Sequence, residues 1–203
     1  MSAPTPIGAA LERGIAGAGA ALEALSEGRV VIDPPAIREL GPADLVADLG
    51  SPDRVVVGVY VGFDGPLSGH ALLLMTPTGA TRICRHLVDG AGLARPASAT
   101  DPVLDDLGRS ALEELGNIVI SAVLNELGRG SDVAIHPSVP QIVEEMAGAI
   151  LDSILADLLV DCDTVVVGRS TFVEAGDTFD GWLLVMPRRG ERSGAFDTSP
   201  AAA

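Results

Sequence analysis

Apolar and polar positions alternate along the chain in two rhythms, one helical and one strand-like. In "IGAALERGIAGAGAALEALSEG" (Ile7 to Gly28), Leu11, Ile15, Ala18, Leu22 and Leu25 recur at steps of three and four, one face of an amphipathic helix. Gly14, Gly17 and Gly19 weaken that helix and Gly28 ends it. "RVVIDPPAI" follows as a short strand running into a Pro-Pro break. "DRVVVGVYVGF" (Asp53 to Phe63) and "PLSGHALLLM" are rich in branched apolar residues, and the Asp-Gly between them predicts a hairpin. "PTGATRICRHLVDG" (Pro77 to Gly90) predicts a helix. "AGLARPASATDP" (Ala91 to Pro102) is small, polar and Pro-containing, and reads as a linker.

The same order then returns. Asp101-Pro102 has the form of an N-cap with proline at the first helical position, which predicts a helix from about Pro102 to Leu127. "SDVAIHPSVP" reads as a strand entering a proline break, and "QIVEEMAGAILDSILADLL" as a helix with Glu144 and Glu145 on its solvated face. "CDTVVVGRSTFVE" and "DTFDGWLLVMP" read as two strands, with Trp182 packing at a strand start. The tail from Arg188 to Ala203 has no apolar period and is expected to be disordered. The halves align in detail: Glu12, Ile15 and Leu25 each precede Glu114, Asn117 and Leu127 by 102 positions, and "VVIDP" matches "VAIHP". An internal duplication is the simplest account. It predicts an α+β fold with pseudo-two-fold symmetry, repeats at about 7–90 and 102–187, and a largely antiparallel sheet, because the strands come as hairpins.

Composition narrows the function. The chain has 203 residues with 47% apolar content, enough for a substantial core, and only 3% aromatics, too few for a base-stacking surface. Its 28 acidic residues outnumber 13 basic ones, all arginine, for a net charge of −15. That excludes non-specific binding to nucleic acid or anionic membrane, and suits a basic protein partner or simply a high-GC, salt-tolerant host. Cys84 and Cys162 lie in no metal-ligand spacing and read as reduced thiols, although spacing alone leaves a disulfide open. His70, His86 and His136 are scattered, without the spacing of a metal site. "GIAGAG" is preceded by no strand and is not a dinucleotide loop. The N-terminus lacks the features of a signal peptide and no run is long enough to span a bilayer, so a cytoplasmic protein is expected.

One helix carries the candidate chemistry. Ser110, Glu114 and Asn117 stand at i, i+4 and i+7, on one face. Leu107, Ala111, Leu115, Ile118 and Ala122 form a neighbouring apolar stripe for the core. Gly116 and Asn117 are poor helix formers, glycine costing about 1 kcal/mol relative to alanine. The glycine beside the exposed pair is expected to lower the wall so that another molecule's surface can approach.

The spacing Ser-x3-Glu-x2-Asn-x22-Pro, realised as Ser110, Glu114, Asn117 and Pro140, resembles the signature of the CheC/CheX/FliY phosphatases of bacterial and archaeal chemotaxis. The context "EELGNI", the duplication and "LSGHALLLM" are closest to CheC, and the resemblance runs from about Ile7 to Pro187. It implies two long signature helices side by side on a continuous antiparallel sheet. It also implies a hydrolase that removes the aspartyl phosphate of the response regulator CheY. Glu114 and Asn117 would be the catalytic pair, with Ser110, Gly116 and Pro140 shaping the site. No cofactor of its own is expected, since the Mg²⁺ belongs to CheY. CheD is a further expected partner, and an internal pseudo-dimer can act as a monomer. The first helix departs from the signature: Glu12 is kept, but Ile15 stands where Asn is expected and Gly8 where Ser or Asp is expected. Ile15 cannot orient a water, so one active helix is expected and the first helix is a packing helix. The alternative is a non-catalytic chemotaxis adaptor that binds CheD or the flagellar switch, as the FliM middle domain is a scaffold.

Overall fold

The computed structural model describes residues 5–90, 105–158, 165–174 and 177–188. The expected linker at 91–102 with its Asp101-Pro102 cap, Cys162, and the expected tail from 189 onward lie outside them. Helix α1 (Pro6–Leu25) is followed by strands β1 (Val30–Ile32) and β2 (Ala36–Leu40), helix α2 (Pro42–Asp48), the hairpin β3 (Val55–Asp64) and β4 (Gly69–Met75), and helix α3 (Pro77–Gly90). Helix α4 (Asp106–Ser131) opens the second half. Strands β5 (His136–Pro137) and β6 (Gln141–Met146), helix α5 (Ala147–Leu158) and the hairpin β7 (Val165–Glu174) and β8 (Asp177–Pro187) complete it.

All eight strands form one antiparallel sheet in the order β1-β7-β8-β4-β3-β5, with β2 also on β7 and β6 also on β3. The two hairpins meet at its centre, where Leu72 opposes Leu184. Each half's broken strand pairs with the other half's hairpin: β1 and β2 flank β7, while β5 and β6 flank β3. Neither half therefore holds a complete set of partners by itself. β4 is buried at every position because it lies mid-sheet with helices on both faces, which accounts for the unbroken apolar run "ALLLM". The proline breaks fall at the sheet's edges, where a missing N–H costs no ladder bond.

The long helices α1 and α4 pack side by side on one face, joined by α3. They bury Leu11, Ile15, Leu22, Leu112, Leu115 and Val119 against Val57, Val59, Val61 and Phe63. Helices α2 and α5 cover the other face, over Val56, Leu72, Leu74, Val167 and Trp182. At the helix–helix contact a Cβ on Gly14 would lie 2.5 Å from Cα of Val123, so this glycine, which weakens α1 locally, permits the backbones to approach.

Two expected features take a different form, and one stretch that carried no expectation is structured. "QIVEEM" is strand β6 rather than the start of a helix, and α5 begins only at Ala147. Glu144 and Glu145 thus lie exposed on an edge strand, opposite Val57 and Val56. Ladder pairing with β3 overrides the local helical pattern there. Residues 36–48, unassigned from the pattern beyond the Pro-Pro break, form β2 and α2. The described part of α4 starts at Asp106, with Asp105 as its N-cap.

Candidate functional site

Helix α4 is anchored at both ends. Asp105 accepts a hydrogen bond from the Gly108 amide at 2.7 Å, and Asp106 lies in the first turn, where the helix dipole favours negative charge. Arg129 stands in the last turn and Asp132 closes the helix in the left-handed conformation. The inner face buries Leu112, Leu115, Val119, Ile120, Val123, Leu124 and Leu127. Each contributes roughly 1.5–3 kcal/mol on burial, so the roughly 1 kcal/mol lost at Gly116 is readily offset. The expected stripe is only the margin of this face: Leu115 is buried, while Leu107, Ala111, Ile118 and Ala122 are half-buried.

Ser110, Glu114 and Asn117 are all exposed on the outer face. Glu114 makes no hydrogen bond or ion pair with any described residue. The Asn117 carboxamide oxygen accepts a hydrogen bond from Ser121 Oγ at 3.2 Å. Ser121 extends the polar stripe by one turn. The signal for it in the sequence is the i+4 step from Asn117 to a hydroxyl. Glu113 is exposed beside the stripe. At its N-terminal end Arg109 stands 3.8 Å from Glu144 of β6, a surface pair of small energetic weight. The outer surface of α4 is thus acidic and polar, on a helix whose inner face is fixed by the core.

Gly116 is placed differently from its expected role. It is buried, and a Cβ there would lie 2.5 and 2.6 Å from the two γ-carbons of Val59 on β3. The missing side chain lets α4 settle on the sheet; it does not clear space for an outside molecule. Pro140 is half-buried and immediately precedes β6 on the edge beside β3. Gln141 opposes Tyr60 and Ile142 opposes Val59, the residue beneath Gly116, so Pro140 belongs to the strand edge that runs alongside α4.

The structure also shifts the register between the halves. Leu11, Gly14, Ile15, Ala18 and Leu22 are the buried residues of α1 that precede Leu112, Leu115, Gly116, Val119 and Val123 of α4 by 101 positions, not 102. Ile15 therefore corresponds to Gly116. The outward counterparts of Glu114 and Asn117 are Arg13 and Ala16, and Glu12 corresponds to Glu113. Ile15, 3% exposed, is turned into the core. A Cβ on Gly168 of β7 would meet its Cδ1 at 2.9 Å. The two helix–sheet contacts thus reverse sizes: glycine on α4 over Val59, and isoleucine on α1 over Gly168. Arg13 is engaged, donating to Glu126 of α4 at 2.8 Å. Its hydrogen bond, with that of Arg129, holds the Glu126 carboxyl below the ordinary carboxylate range despite partial burial.

Other features lie apart from the stripe. A depression of about 490 Å³ lined by Tyr60, His70, Val143, Glu145, Ala149, Ile150 and Ser153 opens on the opposite sheet face, beside α5. In it the Tyr60 hydroxyl and His70 Nδ1 are 2.7 Å apart. Cys84, on α3, is buried in the core. Among the described residues, no three His, Cys, Asp or Glu side chains converge as a metal site would require, and no helix is long and apolar enough to cross a membrane.

No family model matches the chain. A search of curated proteins finds the CheY-P phosphatase CheC of Bacillus subtilis, 28% identical over 165 residues, covering 79% of this chain and 77% of CheC. Among solved structures, FliY of Thermotoga maritima superposes with a TM-score of 0.67 at 17% identity, covering 89% of this chain and 87% of FliY. The FliM middle domain of Vibrio alginolyticus superposes with a TM-score of 0.58 at 16% identity, covering 87% and 89%. These structural matches establish the shared fold, and the match to CheC links the sequences. The spacing of Ser110, Glu114, Asn117 and Pro140 accords with this likeness to CheC, and the chain shares its fold with FliY and the FliM middle domain.

Proposed function

We propose that this protein is a CheY-P phosphatase that works through α4 alone. The observation that carries the reading is the outer face of that helix: Ser110, Glu114 and Asn117 are exposed on a rigid support, with Glu114 uncommitted to any described partner, in a chain related to CheC. An aspartyl phosphate is a mixed anhydride and already reactive, so placement and electrostatics supply most of what a catalyst must add. Water attacks phosphorus, the bond to the acyl oxygen breaks, and inorganic phosphate and the aspartate carboxylate leave. Asn117 would hold the reacting water or phosphoryl oxygen in line, an amide being suited to hydrogen bonding rather than to strong base catalysis. Glu114 would meet a lysine ammonium of the regulator in a charge-assisted bond that seats the helix. The Mg²⁺ is assigned to the regulator, and Ser110 and Pro140 to the shape of the site.

The direct test follows the loss of acyl phosphate from phosphorylated CheY with and without this protein. Acceleration by the wild type that is absent in Asn117→Ala supports the reading. No acceleration by the wild type rejects it.

A second reading, a non-catalytic adaptor for CheD or the flagellar switch, is favoured by one feature: α1 presents Arg13 and Ala16 where α4 presents Glu114 and Asn117. A binding surface on that half would survive the double change Glu114→Ala with Asn117→Ala, and loss of CheD binding in that variant would show a shared surface.

A further inference from the structure

The geometry points to Ser121 as a positioning residue that fixes which edge of the Asn117 amide faces outward. The inference rests on the phosphatase reading above. Ser121 lies one turn beyond Asn117 on the same helix and is half-buried, so its side chain is confined more than the exposed Asn117. Its hydroxyl donates to Asn117 Oδ1 at 3.2 Å. A carboxamide is planar, with oxygen and nitrogen on opposite sides of the terminal carbon. Engaging Oδ1 towards the C-terminal turn turns Nδ2 and its two hydrogens away from Ser121.

Without that bond, the terminal torsion of an exposed asparagine is broad and roughly two-fold, so either edge can face outward. The two edges do different things to an attacking water. Oδ1 would accept a hydrogen bond from the water, whereas Nδ2 would donate one to a phosphoryl oxygen that carries charge in the transition state. Ser121 selects the donor edge. The amide N–H groups are then turned to the phosphoryl oxygens, and the lone pairs of the attacking water stay free for phosphorus. Bonds formed and broken are those of the hydrolysis itself.

The measurement is the maximal rate of CheY acyl-phosphate loss at saturating full-length protein, together with the half-saturating concentration. One neutral hydrogen bond contributes about 0.5–1.5 kcal/mol, so Ser121→Ala is expected to lower the maximal rate roughly 2- to 10-fold with half-saturation unchanged. Ser121→Thr, which restores a hydroxyl, is expected to recover most of the loss. A wild-type rate in Ser121→Ala, a change confined to half-saturation, or no rescue by Thr would each overturn the inference. The side-chain amide resonances of Asn117 give a readout independent of turnover. They shift in Ser121→Ala if the bond exists, and their invariance overturns it. Failure of the wild-type protein to accelerate the reaction would instead remove the phosphatase reading and leave this spectroscopic arm to judge the contact.

Discussion

Replacing Gly116 by alanine separates the two roles that a glycine at this point of α4 can have. Were it a clearance beside an exposed site, alanine would meet nothing and would stabilise the helix by about 1 kcal/mol. In the structure the new Cβ would fall 2.5 and 2.6 Å from Cγ2 and Cγ1 of Val59 and also inside contact range of its Cβ. Val59 is fully buried, β-branched and stiff at χ1, and its strand is held by β4 on one side and β6 on the other. Neither side can yield cheaply, so the overpacking cost belongs at the upper end of the usual 1–3 kcal/mol. Less the propensity gain, the net loss is about 2 kcal/mol, a fall in Tm of roughly 4–8 °C for a domain of this size. Thermal or chemical unfolding of Gly116→Ala measures it. A second variant, Gly116→Ala with Val59→Ala, restores the space and should show coupling of at least about 1 kcal/mol relative to the two single changes. A rise in Tm for Gly116→Ala, or strict additivity in the double variant, would refute the packing argument.

The register between the halves is open to a similar comparison. Ile15→Asn places an amide in the core and should cost at least about 3 kcal/mol, whereas Ala16→Asn on the exposed face should cost less than about 1 kcal/mol by the same unfolding assay. Removing the N-cap with Asp105→Ala should lower stability by about 1 kcal/mol. Asn117→Ala should reduce acceleration of acyl-phosphate loss by about 10²-fold with Tm unchanged, which a single-turnover assay and a melting curve check together. Glu126 has a lowered folded-state pKa because Arg13 and Arg129 bind its charged form. Its contribution is therefore present at neutral pH and lost as pH falls below the ordinary carboxylate range. The stability gap between wild type and Glu126→Gln should close on acidification, and a gap that widens towards low pH would contradict this assignment.

Much of the molecule is written in local pattern. The three-and-four steps from Leu11 to Leu22 place α1, the apolar runs place the two hairpins, and Ser110, Glu114 and Asn117 stand on one helix face by spacing alone. Ser121 belonged to the same stripe and could have been read from its i+4 step. These features are legible because side-chain direction within one helix or strand follows from its period. Other features depended on partners distant in the chain. The pattern of "QIVEEM" suited a helix, and only pairing with β3 made it a strand. An offset of 102 and one of 101 both align apolar residues of the two helices. The choice fell to contacts, since Ile15 has room over Gly168 and Gly116 has room over Val59. A glycine's sequence neighbours do not say what its absent side chain would strike. Sequence by itself determined that α4 carries an exposed polar triad. Tertiary structure decided that Gly116 belongs to the core contact beneath that triad, and that Arg13 and Ala16 are its counterparts on α1, because close packing is settled by atoms that meet only when the sheet is assembled.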